Sequence, residues 1–122
     1  MPILDVEIVV SESEPLSDGL ATALADAAGK VFDASRGNVW VRVRPLPRHL
    51  YAENGVAEPE GWRSVFVTVL KYQRPDGSDL EREVRLLTEA VARICGRAPE
   101  NVHILYEADA AGRIAFGGAI KK

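Results

Sequence analysis

The first stretch of the chain alternates. In MPILDVEIVV, positions 2, 4, 6, 8 and 10 are Pro, Leu, Val, Ile and Val, while Asp5 and Glu7 fall on the other side. A period of two is the signature of a half-buried strand, so residues 2–10 are expected to be one. SESEPLSDG follows, rich in turn formers and helix caps. LATALADAAGKVF then changes period. Leu20, Leu24 and Ala27 or Ala28 recur at helical spacing, with Ser17 or Asp18 able to cap the start and Gly29 able to stop it. NVWVRVRPLP alternates again, with Val39, Val41 and Val43 on one face and Trp40, Arg42 and Arg44 on the other; Pro45 and Pro47 are expected to end it.

RHLYAENGVAEPEGW carries loop or hairpin signals, and then the order repeats. SVFVTVLKY predicts a strand and RPDGSD a turn. LEREVRLLTEAVARICG predicts a helix, with Leu80, Val84, Leu87, Val91 and Ile94 on one stripe and Gly96 as its stop. ENVHILYEA predicts a strand, and RIAFGG a short final one. The chain is therefore a tandem β-α-β repeat, with pseudo-repeats at residues 2–47 and 63–118 of a single domain spanning 1–122. A crossover through a helix makes the flanking strands parallel. The expected fold is α/β (α+β): a four-stranded mixed sheet with two helices on one face. The other face, carrying Trp40 and Arg42, then needs a cover, which points to an oligomer.

Composition narrows the chemistry. Net charge is −3 with a pI of about 5.4, unlike the basic surface of a nucleic-acid-binding domain. The single cysteine, Cys95, excludes an intrachain disulfide framework. No signal-peptide pattern and no membrane-length apolar run is visible, so the expectation is a cytoplasmic protein with no membrane and no nucleic-acid partner. His49, His103 and Cys95 are scattered, so no metal site is expected. No phosphate loop follows a strand, and no cofactor is expected.

Pro2 at the head of a duplicated β-α-β chain of 122 residues resembles the tautomerase superfamily. The resemblance covers residues 2–118. PLSDGLATALADAAGK and PENVHILYEADAAG are similar to the macrophage migration inhibitory factors; RPD, REV, TEAV and the terminal GG are similar to the 4-oxalocrotonate tautomerases. The two-unit members also include the cis-3-chloroacrylic acid dehalogenases. The resemblance implies a homotrimer and an isomerase that moves a proton between carbon and oxygen of a small 2-oxo acid. Pro2 would be the general acid and base, provided Met1 is removed, because only then is its nitrogen an amine.

Further roles are implied position by position. Arg74, with Lys71, falls where these enzymes hold a substrate carboxylate; a solvated turn is the plain alternative. His103 stands where the macrophage factors have a tyrosine lent by a neighbouring subunit and the short tautomerases an arginine; a histidine on a half-buried strand face is the plain alternative. Arg42 would neutralise an acidic substrate or pair with a carboxylate at an interface. Trp40 would pack at a subunit interface or form a pocket wall, and Tyr51 would line the pocket. Lys30 matches a lysine near the substrate, but a cation at a helix C-terminus is good physics without any ligand. The dehalogenase and hydratase members that the chain resembles activate water with a carboxylate or tyrosine near the last strand, where this chain has Ala115. The remaining alternative is a non-catalytic trimeric assembly or signalling protein.

Overall fold

The computed structural model describes residues 2–11, 13–57 and 63–122. Met1, Glu12 and the last part of the expected loop or hairpin, Glu58–Trp62, lie outside the described residues. The order is β1 (Ile3–Val10), α1 (Leu20–Val31), β2 (Trp40–Pro47), β3 (Val65–Leu70), α2 (Gly77–Cys95), β4 (Val102–Tyr106), β5 (Ala115–Phe116) and β6 (Ala119–Ile120). The four long strands form one sheet in the order β2-β1-β3-β4, and β5 pairs with β6 in a separate hairpin.

The repeat explains this order. Each β-α-β unit lays its second strand parallel to its first, β1 with β2 and β3 with β4. The two first strands then meet antiparallel at the centre, with Val6 opposite Val67. Alternation decides which side is buried. Leu4, Val6 and Ile8 of β1 and Val65, Val67 and Val69 of β3 are all at most 1% exposed. They pack with Leu24 and Ala28 of α1 and Leu87 and Val91 of α2 in one core. Both helices therefore lie on the same face, as the two apolar stripes require. The opposite parity, Ile3, Asp5, Glu7, Trp40, Arg42, Phe66, His103 and Leu105, is half-buried or exposed.

Four local expectations come out differently. Gly29 does not stop α1: the helix runs to Val31, and Asp33 takes the left-handed conformation at φ 50. Aspartate tolerates that region better than most residues, so the glycine was free to stay helical. The α1 N-cap is Gly19, with no side-chain cap bond from Ser17 or Asp18. Pro45 lies inside β2, which ends two residues later at Pro47 as expected. This is permitted because β2 is an edge strand and has a partner on one side only. Finally, Glu53–Val56 closes a turn, with Gly55 at φ 74, and no strand forms among the described residues of that loop.

Gly96 does end α2, at φ 65 and ψ 40. Arg97 N–H donates to Ala92 O at 2.9 Å and Gly96 N–H to Arg93 O at 3.4 Å, the paired bonds of a left-handed glycine stop.

Candidate functional site

The parallel pairing of β1 and β2 sets Ile3 opposite Trp40, and Trp40 N–H donates to Pro2 O at 3.0 Å. Pro2 and Trp40 thus arrive at the same end of neighbouring strands. Upstream, Asn38 N–H closes a turn onto Ser35 O, with Gly37 at φ 81. That turn aims the Gly37 carbonyl at the indole, whose Nε1–H donates to it at 3.0 Å. On the indole's other side Phe116 stands edge-on, with ring centroids 5.4 Å apart and planes at 88°.

These groups enclose a cavity of about 210 Å³ lined by Pro2, Ile3, Gly37, Asn38, Trp40, Phe116 and Lys121. Pro2 is buried. The volume lies below the roughly 300 Å³ at which pockets for drug-sized ligands begin, so it suits a small molecule. Its walls are mostly apolar and aromatic. Asn38 spends its amide on Ser35 Oγ at 2.6 Å, which leaves Lys121 as the charged side chain among the lining residues.

The other candidates are placed elsewhere. Arg42 sits two positions past Trp40 and donates to both oxygens of Asp5, at 2.6 and 2.9 Å. The pair is directly opposite in register on the uncovered face, with Arg42 exposed and Asp5 half-buried. Lys71 continues the odd positions of β3 onto the helix side. Its Nζ bonds Glu83 Oε1 at 2.6 Å and lies 4.8 Å from the Phe32 ring centroid. Arg74 is exposed, and its backbone N–H is held by Asp109 Oδ1 at 3.1 Å. Lys30 is exposed on the last turn of α1, in a groove with Asp26 and Glu89. None of these four lines the Pro2 cavity.

Tyr51 and His103 belong to a third place. Tyr51 O–H donates to Glu53 Oε2 at 2.6 Å, and its ring lies 5.8 Å from Phe66, which lies 5.5 Å from His103. Phe66 pairs with both Glu7 and His103, so His103 is level with Glu7, five positions from Pro2. At about 3.3 Å per residue that is roughly 16 Å along the sheet. Within one chain, His103 cannot reach the cavity.

The sequence reading overlooked Phe116 and Lys121. The signal for them was present in AFGGAI. Gly117 and Gly118 both have positive φ, at 58 and 94, and form a two-residue hairpin loop between Phe116 and Ala119. Such a loop fixes the register of everything after it.

Near the exit of β3, Tyr106 O–H donates to Glu83 Oε2, the same carboxylate that holds Lys71. Burial raises the Tyr106 pKa far above the usual phenol range; the Glu83 bond and charge add to this, and Arg74 opposes it. The unfolded phenol ionises near pH 10, while the folded one keeps its proton. Tyr106 therefore contributes stability that is full below about pH 10 and is lost as pH rises towards its folded pKa. We expect Tyr106→Phe to remove a late step from the native phenolate absorbance titration and to flatten the alkaline loss of stability. Unchanged late absorbance in Tyr106→Phe would contradict this assignment. Burial also raises the pKa of the Cys95 thiol, which packs against the core and is poorly suited to act as a nucleophile. Among the described residues no group of three metal-ligating side chains occurs, and no helix is long and apolar enough to cross a membrane.

No protein-family model and no curated protein sequence matches the chain. Solved structures do match its fold. A macrophage migration inhibitory factor from Oncomelania hupensis is 19% identical, covering 100% of this chain and 83% of that one, with a TM-score of 0.74. A fused 4-OT solved as an asymmetric trimer is 13% identical over 95% and 94%, with a TM-score of 0.72. A malonate semialdehyde decarboxylase, described with decarboxylase and hydratase activities, is 20% identical over 94% and 90%, with a TM-score of 0.65. The chain has the fold of the tautomerase superfamily, built as two β-α-β units on one mixed sheet.

Proposed function

We propose that this chain is a proton-transferring enzyme, a tautomerase of small 2-oxo acids, with Pro2 as its general acid and base. The observation that carries the reading is the buried Pro2 lining a small aromatic-walled cavity. Once Met1 is removed, the ring nitrogen is a secondary amine. It takes the proton from the carbon or oxygen of one tautomer and returns it to the other, with no net change in atoms or oxidation state. Such a base works best when its pKa lies near the working pH. A cation lining the same cavity, as Lys121 does, disfavours a second positive charge there and pushes in that direction. The fold also carries a decarboxylase with hydratase activity. Water addition is the weaker reading here, since no carboxylate is among the described lining residues.

The uncovered sheet face supports self-association. Trp40 is 52% exposed and Leu105 66%, on the face that also carries His103 and the Arg42–Asp5 pair. In a homotrimer, His103 of a neighbouring copy would have a route to the Pro2 cavity that it lacks within one chain.

The test begins with mass. Intact protein should be lighter than the full sequence by one methionine, and its native mass should be three times the 13.3 kDa chain. That preparation should speed the ketonisation of enol-phenylpyruvate well above the buffer rate. A Met1-free protein with no effect on this rate argues against the activity, and a native mass of one chain argues against the trimer.

A further inference from the structure

We infer that Lys121 is the anion-recognition residue of the Pro2 cavity, holding the carboxylate of a small flat acid against the wall made by Trp40 and Phe116. The proposal deepens the functional reading above and rests on the cavity being a substrate site.

The hairpin register is the first argument. Phe116 pairs with Ala119 and Ala115 with Ile120 across the Gly117–Gly118 loop. Lys121 N–H donates to Ile114 O at 2.9 Å, which extends the ladder by one more pair. Side chains alternate along each strand, and paired residues share a face. Ile114, Phe116, Ala119 and Lys121 therefore stand on one side of the hairpin, Ala115 and Ile120 on the other. Phe116 faces the Trp40 ring, so Lys121 must face the cavity as well, and it does line it. One two-residue loop thus sets both the aromatic wall and the cation beside it.

The second argument is the state of the other cations. Arg42 is engaged by both oxygens of Asp5. Lys71 is engaged by Glu83 under Phe32. Lys30 stands in the groove between the helices, and Arg74 does not line the cavity. Among the described residues, Lys121 is the cation that reaches the Pro2 cavity. An ammonium is a compact point charge on a flexible stem, unlike the fixed fork of arginine. It can follow a carboxylate through the change from a keto to an enol geometry while the flat body of the acid stays against the rings.

Equilibrium binding tests this without relying on turnover. The ligands are 3-phenylpropanoate and its uncharged amide, followed by the Trp40 indole N–H resonance. The proteins are wild type, Lys121→Gln, Lys122→Gln and Pro2→Ala. A hydrogen-bonded charge pair predicts that Lys121→Gln weakens the carboxylate about 10- to 100-fold and leaves the amide unchanged. Lys122→Gln, with the same charge change one position on, should leave both affinities as in wild type. Equal losses for the two ligands, no loss at all, or the same loss in Lys122→Gln would each overturn the assignment. The kinetic arm separates the two proposals. If Lys121→Gln loses carboxylate binding while wild type fails to turn over enol-phenylpyruvate, Lys121 stands and the tautomerase reading falls. If wild type turns over and Lys121→Gln keeps both its KM and its carboxylate affinity, the tautomerase reading stands and Lys121 falls.

Discussion

Replacing Pro2 with alanine should lower kcat/KM for enol-phenylpyruvate by about 10³-fold, within the range that a positioned general acid and base contributes. The substitution isolates chemistry from folding unusually well. Pro2 precedes β1, and the bond that ties it to β2 runs through its carbonyl oxygen, which alanine also has. The Trp40–Phe116 ring pair is untouched by the substitution, although Pro2 itself lines the cavity and its ring is lost from that wall. Alanine keeps a free amino terminus once Met1 is gone, but it is a primary amine without the ring that fixes the nitrogen's direction. The loss should fall mainly on kcat, since the Lys121 side chain is untouched. Wild type that retains Met1 should be as slow as Pro2→Ala, because its Pro2 nitrogen is an amide. Equal rates for Pro2→Ala and Met1-free wild type would remove Pro2 from the mechanism.

The sheet and its helices were legible because each rests on a period that repeats, about two in the strands and about 3.6 in the helices. Leu4, Val6 and Ile8 alternate with Asp5 and Glu7, and only at the end of β1 does the alternation break, where Val9 is buried as well. Stops were less legible. Gly29 and Gly96 look alike in sequence, yet only Gly96 takes a positive φ. A glycine permits the left-handed turn; it does not demand it, and in α1 the turn went to Asp33. Pro45 was misjudged for a related reason, although β2 does end at Pro47. A proline would end a central strand but can sit inside an edge strand, and edge position is a property of the whole sheet.

The site was half legible. Parallel pairing across a β-α-β unit brings the start of β1 to the start of β2, so Pro2 and Trp40 were predictable neighbours. Lys71 was implied by resemblance at the exit of the third strand, without following its face. Val65, Val67 and Val69 point to the helices, and Lys71 continues their series. Lys121 depends on a hairpin register that a sequence reading can derive only after trusting the Gly-Gly loop. His103 is a different case: its place in any site depends on a second copy.

Replacing Glu83 with alanine should cost about 2–4 kcal/mol of stability, the range for leaving a largely buried charge without its partner. Glu83 is 12% exposed and Lys71 17%, so both side chains have given up most of their water. The carboxylate accepts from Lys71 on one oxygen and from Tyr106 on the other. Without it, the ammonium keeps the Phe32 face but has no anion. The denaturant midpoint should fall with an unchanged m-value, and adding Lys71→Met to Glu83→Ala should restore part of the loss, since an apolar pair can replace a buried ionic one. A Glu83→Ala midpoint matching wild type would show that the pair stabilises nothing. The same variants decide what Lys71 is for. If it binds substrate, Glu83→Gln frees it from a competing anion and should tighten 3-phenylpropanoate binding. If its work is to join β3 to α2, Glu83→Gln lowers stability and leaves that affinity where it was. The 2.6 Å contact to Glu83 and the ring of Phe32 favour the second outcome, which leaves anion recognition to the C-terminal hairpin.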